Sequence, residues 1–278
     1  MTTFNSAPLR EIFPHYRAFL VDVFGVLRHA SGKYPQTPAV ISAMQSHKKS
    51  VIFFSNTANL LPHKVAGRLV SEGFQAREEQ VVTSGMALAP VFAERGLTGK
   101  PIISVGNEDT AEYVRRAGGI LTSDWQEAEA STLGYYLTDE NRRQFEAAVE
   151  LAQKRGKPAI LANTDLNIPT SERTIGIGPG IIGELFKDRT GQETIKIGKP
   201  FPHMYKLAYE KLGDIPMEEI LAIGDSLVHD ILGANNEGLD SLLVLSGLQG
   251  LITPGTQLDD FMRRNGLYPT YILPALAF

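Results

Sequence analysis

Leu221-Ala222-Ile223-Gly224-Asp225-Ser226-Leu227-Val228-His229-Asp230 decides the fold, because an apolar run opens directly onto two carboxylates, Asp225 and Asp230. Leu221 to Ile223 reads as a buried strand, Gly224 permits a tight exit, and the two acids fall on the turn into the next helix. Two hard oxygen ligands thus stand at the carboxyl end of a strand, where open α/β sheets bind their ligands. Such a pair suits Mg²⁺, which takes a few carboxylates together with water and substrate phosphate. A plainer reading stays open at this point, with Asp225 as an ordinary N-cap and Asp230 as a solvated helix residue.

Outward from this stretch, strand-like and helical runs alternate. Residues 18–21 form a first apolar strand, 38–48 a helix, 51–54 a second strand and about 62–72 a second helix. A new set begins with a strand at 101–105, continues through a helix at 108–117, and includes the apolar run 159–162. This middle region has strands and helices enough to bury a core of its own. The Gly-rich segment 175–180 precedes a helix ending near Gly191, after which strands recur at 221–223 and 241–245. The alternation predicts an α/β fold with a parallel sheet covered on both faces. No internal repeat or low-complexity segment interrupts it.

Composition narrows the class. The 278 residues are comfortable for two domains, and 27 basic against 31 acidic residues give a net charge of −4. No basic patch or charged tail suggests nucleic acid. There is no cysteine, which excludes disulfides, thiolate metal sites and cysteine nucleophiles. Residues 1–14 lack a basic region followed by an apolar one, and no apolar run reaches the roughly 18 residues of a membrane span. No membrane association and a cytoplasmic location are the default expectation.

The first strand ends in a further acid, Asp22-Val23-Phe24-Gly25-Val26-Leu27, where Gly25 permits a sharp turn. Here the chain resembles the haloacid dehalogenase (HAD) superfamily of phosphohydrolases. Asp22 matches the family's attacking aspartate, Ser55 in Phe54-Ser55-Asn56-Thr57 its phosphate-holding hydroxyl, and Lys199 in Ile197-Gly198-Lys199-Pro200 its lysine. Asp225 and Asp230 match its metal-binding pair. An independent α/β unit between Ser55 and Lys199 resembles class IIA members, the 4-nitrophenylphosphatase-like and sugar-phosphatase-like enzymes. Thr83-Ser84-Gly85-Met86, Ala162-Asn163-Thr164-Asp165 and Gly178-Pro179-Gly180 are similar to signposts of that class.

The resemblance implies a Rossmann-like HAD core at 1–86 and 192–278 with an α/β cap inserted at 87–191. It implies Mg²⁺-dependent hydrolysis of a small phosphorylated metabolite through an aspartyl phosphate. Asp22, Ser55 and Lys199 would be catalytic; Asp22, Asp225, Asp230 and the Phe24 backbone carbonyl would hold the metal. Asn56, Asn163 and Asp165 would face the substrate, with Asn167 in the same cap loop, although Asn and Asp equally form turns there. The resemblance also allows homo-oligomerisation through the cap.

One position departs from the family: the acid–base aspartate expected two residues after Asp22 is Phe24. General acid–base catalysis is typically worth about 10² to 10⁴ in rate, so turnover on alkyl phosphates should be slow unless His29, His203 or His229 substitutes. Two alternatives follow, a haloacid dehalogenase-like hydrolase, which has an aromatic residue there and needs no metal, and a non-catalytic phosphometabolite-binding protein. Tyr135 and Tyr136 read as core, Arg115 and Arg116 as a solvated helix face, and His63 as a surface residue opening a helix.

Overall fold

The apolar runs ending before Asp22 and Asp225 lie side by side at the centre of a six-stranded sheet in the computed structural model, which describes residues 7–253 and 256–278. In chain order the strands begin with β1 (Ala18–Val21), β2 (Arg28–His29), β3 (Gly32–Lys33), β4 (Ser50–Ser55) and β5 (Val81–Thr83). The middle of the chain supplies β6 (Pro101–Val105), β7 (Ile120–Leu121), β8 (Ala130–Leu133), β9 (Ala159–Leu161), β10 (Asn167–Pro169) and β11 (Ile175–Ile177). Last come β12 (Ile195–Lys196), β13 (Ile220–Gly224), β14 (Asp240–Val244) and β15 (Tyr271–Leu273).

The large sheet runs β15-β14-β13-β1-β4-β5, with every neighbouring pair parallel. The chain winds from β1 towards β5 on one side and from β13 towards β15 on the other, so the order reverses between β1 and β13. That is the topological switch point, where the crevice of an open α/β sheet opens. Val21 pairs with Ile223 on one side and Phe53 on the other, so Asp22, the first residue beyond β1, stands level with Gly224 at the end of β13 and with Phe54 near the end of β4.

Alternation along β1 explains why the sheet needs cover on both faces: Ala18 and Leu20 enter one apolar cluster, Phe19 and Val21 another. The expected helices at 38–48, 62–72 and 108–117 form as Thr37–Ser46, Pro62–Ser71 and Glu108–Arg116. Arg115 and Arg116 lie on the exposed face of the last, paired with Glu108 and Glu112. His63 is exposed in the first turn of its helix.

A second parallel sheet runs β12-β9-β8-β6-β7. One of its faces closes a separate core around Ile103, Phe145, Leu161 and Phe186. Ile102, Ala130 and Ile160 of the same strands join the cluster that holds Leu20 and Ile52. The Gly-rich segment that precedes the helix Ile181–Thr190 carries β11, which pairs antiparallel with β10. This hairpin reaches the loop after β1: Ala30 N donates to Pro169 O at 3.1 Å and Ser31 N to Thr170 O at 3.1 Å. Among the described residues no helix is long and apolar enough to cross a membrane.

Candidate active site

Sharp exits from β1 and β13 bring the carboxylates together. Gly25 has φ +92°, and a Cβ there would stand 1.6 Å from Asp225 Oδ2, so only glycine lets the loop after Asp22 pass so close to the second acid. After β13 the chain enters one wide turn, in which Ile231 N donates five residues back to Ser226 O at 3.1 Å. This turn folds Asp230 back over the strand end, and its Oδ2 accepts from Asp225 N at 3.2 Å and Ser226 N at 3.1 Å. The Asp225 carboxylate accepts instead from Leu248 N at 2.6 Å, at the start of the short helix Leu248–Ile252 beyond β14. The two plain readings therefore fail: Asp225 Oδ2 bonds outside its own helix, and Asp230 is buried.

Lys199 joins the acids. Its ammonium donates to Asp22 Oδ1 at 2.6 Å, Asp230 Oδ1 at 2.7 Å and Phe54 O at 3.2 Å. Asn56 fixes the lysine backbone, its Oδ1 accepting from Lys199 N at 2.7 Å while its Nδ2 donates to Asp165 Oδ1 at 2.8 Å. One side chain thus ties the strand end, the lysine loop and the cap loop together.

Oxygens of Asp22, Asp225 and Asp230 lie within 4.8 Å of one another, and all three residues are buried. Three carboxylates face one ammonium, so the set is short of positive charge. Burial pushes the Asp22 carboxyl up, opposed by Lys199 and reinforced by Asp230. Burial likewise pushes Asp225 well up, with Asp22 and Asp230 adding to it. For Lys199, burial works against the ammonium and is outweighed by Asp22 and Asp230, which raise its pKa. An all-oxygen, carboxylate-rich donor set with unmet negative charge fits a hard divalent cation.

A cavity of about 230 Å³ opens over these groups. Its lining includes Asp22, Phe24, Ser55, Asn56, Asn163, Asp165, Lys199, Asp225 and Asp230, so the site residues expected from sequence are brought together. Of the three histidines, His229 lines the cavity, its Nδ1 3.4 Å from Asp165 Oδ1. His203 is turned to Glu94 at 2.9 Å, and His29 packs on Tyr34. The core reading of Tyr135 and Tyr136 is corrected: β8 stops at Leu133, and the rings stand half-buried in the cavity wall, with Tyr136 donating to Ile177 O at 2.7 Å. Arg68 also lines the cavity, and sequence gave no sign of it, since a lone arginine in an amphipathic helix reads as solvated surface.

Comparison with known proteins follows the same lines. Residues 19–119 match a family model described as haloacid dehalogenase-like hydrolase, and 196–276 match a HAD-hydrolase-like model. The chain is 28% identical over 262 residues to the 5′-nucleotidase YutF of Bacillus subtilis, covering 94% of this chain and 96% of that one. It is 32% identical over 241 residues to the D-glycerol 3-phosphate phosphatase of Mycobacterium tuberculosis, covering 86% and 66%. A possible sugar phosphatase from Cytophaga hutchinsonii superposes with a TM-score of 0.86 at 26% identity, covering 99% of both chains. The glycerol phosphate phosphatase Rv1692 of M. tuberculosis, solved with magnesium, superposes with a TM-score of 0.79 at 26% identity, covering 95% and 76%.

Proposed function

The chain belongs to the haloacid dehalogenase-like hydrolases, class IIA, and we propose from that premise that it hydrolyses a small phosphate monoester with Mg²⁺ through an aspartyl phosphate on Asp22. The observation that carries the reading is the Lys199 ammonium held between Asp22 and Asp230, with Asp225 alongside, all buried in the lining of one cavity. The two sheets support a division of labour in which residues 1–86 and 192–278 carry the chemistry and 87–191 cover it. The short strand Ile195–Lys196 is lent to the cover.

Asp22, Asp225, Asp230 and the Phe24 carbonyl would hold the metal, whose relative in M. tuberculosis was solved with the same ion. Bound Mg²⁺ supplies positive charge between two anions that otherwise repel, the attacking carboxylate and the phosphate. An Asp22 oxygen attacks phosphorus, the bond to the leaving oxygen breaks, and that oxygen keeps the electron pair. Lys199 keeps Asp22 aligned and offsets charge, while the Ser55 hydroxyl donates to a transferring oxygen. Water then cleaves the acyl phosphate, releasing phosphate and restoring the Asp22 carboxylate. The cap excludes bulk water while this lasts. Asn56, Asn163 and Asp165 orient the alcohol portion.

Phe24 supplies no proton to the leaving oxygen, so aryl esters should outrun alkyl esters. A Mg²⁺ titration with 4-nitrophenyl phosphate, run beside a haloacid substrate, is the direct test. Phosphate release that disappears in excess chelator supports the reading. Halide release that survives chelator replaces it with the dehalogenase alternative, and binding of phosphate esters without turnover replaces it with a sensor.

A further inference from the structure

One wall of the cavity is cationic, and the chemistry above does not use it. Arg68, on the helix Pro62–Ser71, lines the cavity beside Phe24 and Thr57 with its side chain 46% exposed. Among the described residues its one ion pair is the approach of Nε to Glu72 Oε1 at 3.9 Å, longer than a hydrogen bond. Glu72 is committed elsewhere: Arg28 Nε donates to both of its oxygens at 3.0 Å, and Arg28 Nη2 lies 2.9 Å from Oε1. Two guanidinium groups therefore share one carboxylate.

Arg28 is 2% exposed, lies with its guanidinium carbon 4.8 Å from the Phe24 ring centroid, and has a buried Nη1 with no partner among the described residues. A buried donor left unpaired is costly. Arg28 and Arg68 both border a recess of about 20 Å³, which shares Phe24, Ser55, Thr57 and Arg68 with the main cavity. Among the other charged groups of the lining, Lys199 is engaged by Asp22 and Asp230 and Asp165 by Asn56 and His229, while Asp225 belongs to the acid cluster. Burial, and then the like charge of Arg28, work against the Arg68 guanidinium, only partly offset by Glu72.

We propose that Arg68, backed by Arg28, forms a second anion subsite, and that the substrate is a small phosphate monoester whose alcohol portion carries a carboxylate. A guanidinium fork matches a planar carboxylate, and Arg68 presents one from the cavity wall while Arg28 stays buried behind it and holds Glu72, the acid that would otherwise neutralise Arg68. The transferred phosphate in this proposal rests on the phosphatase reading; the subsite itself does not.

The test compares 3-phosphoglycerate with glycerol 3-phosphate, which share a three-carbon skeleton and differ in the carboxylate. Calorimetry with Mg²⁺ in the Asp22→Asn background, which binds the esters without turning them over, should show 3-phosphoglycerate binding about tenfold tighter than glycerol 3-phosphate; adding Arg68→Gln should erase that preference while Arg68→Lys keeps part of it. Binding of glycerol 3-phosphate should change by less than about twofold on adding Arg68→Gln, since that ester has no second anion for Arg68 to hold. Equal binding of the two esters in the Asp22→Asn background, or a preference that survives the added Arg68→Gln, overturns the subsite. A preference that disappears on adding Arg68→Gln, when the parent never hydrolyses 4-nitrophenyl phosphate, keeps the subsite and removes the phosphatase reading.

Discussion

At the scale of single residues, Asp22 and Phe24 decide the chemistry. Asp22→Asn keeps the shape of the side chain and loses the nucleophile, so phosphate release should fall by about 10³-fold or more. Turnover within a factor of about ten of the parent would remove the covalent step. Phe24→Asp tests the missing acid. Phe24 is half-buried in the cavity wall, so a carboxylate there keeps access to water and need not be buried unpaired. Turnover on an alkyl phosphate should rise by about 10-fold or more relative to 4-nitrophenyl phosphate, because an alkoxide needs a proton and a nitrophenolate hardly does. A folded variant with unchanged selectivity between the two leaving groups would show that position 24 does not face the leaving oxygen, or that His229 already fills the role.

At the scale of elements, the loop after β1 is the narrowest constraint. Gly25→Ala combines φ +92° with a Cβ placed 1.6 Å from Asp225 Oδ2, so the loop or the carboxylate must move. The backbone alone should cost about 1–2 kcal/mol, and displacement of Asp225 should raise the Mg²⁺ concentration needed for half-maximal activity. A melting temperature and Mg²⁺ response equal to the parent's would show that the two strand ends are not locked together. The same scale shows what the sequence made legible. Residues 18–21, 50–55, 220–224 and 240–244 are dense in apolar side chains because both faces of the central sheet are covered, and such runs announce themselves. β10 and β11 do not, since their burial is partial, Pro169 and Gly176 dilute the pattern, and their pairing serves the loop after β1. Asp22, Lys199, Asp225 and Asp230 were legible because each follows an apolar run or a glycine turn. Tyr135 and Tyr136 misled because an aromatic pair after a buried strand has the same pattern in a core as in a cavity wall, and only the end of β8 separates them. Arg68 could not be read, since its role depends on what lies across from the helix.

At the scale of the whole molecule, the charge-poor site couples folding to pH and metal. Burial raises the native pKa of Asp22 and Asp225 above the unfolded carboxylate value. The metal-free native state therefore holds protons that the unfolded chain has already released, and its stability falls as pH climbs from the ordinary carboxylate range towards neutrality. One such proton costs about 1.4 kcal/mol per pH unit, which for a chain of this size is roughly 2–3 °C in Tm. Divalent cations bind the ionised carboxylates, so saturating Mg²⁺ should flatten the decline, and the gap between Mg²⁺-loaded and chelated protein should widen from pH 5 to pH 7.5. Asp225→Asn removes one of the titrating groups and should reduce both the slope of the chelated protein and the widening. Thermal melts of parent and variant, with Mg²⁺ and with chelator across that range, measure both quantities. A chelated parent whose Tm does not decline through the range, or declines no more steeply than that of Asp225→Asn, would mean that the three acids are balanced without a metal, and the metal assignment would fall with it.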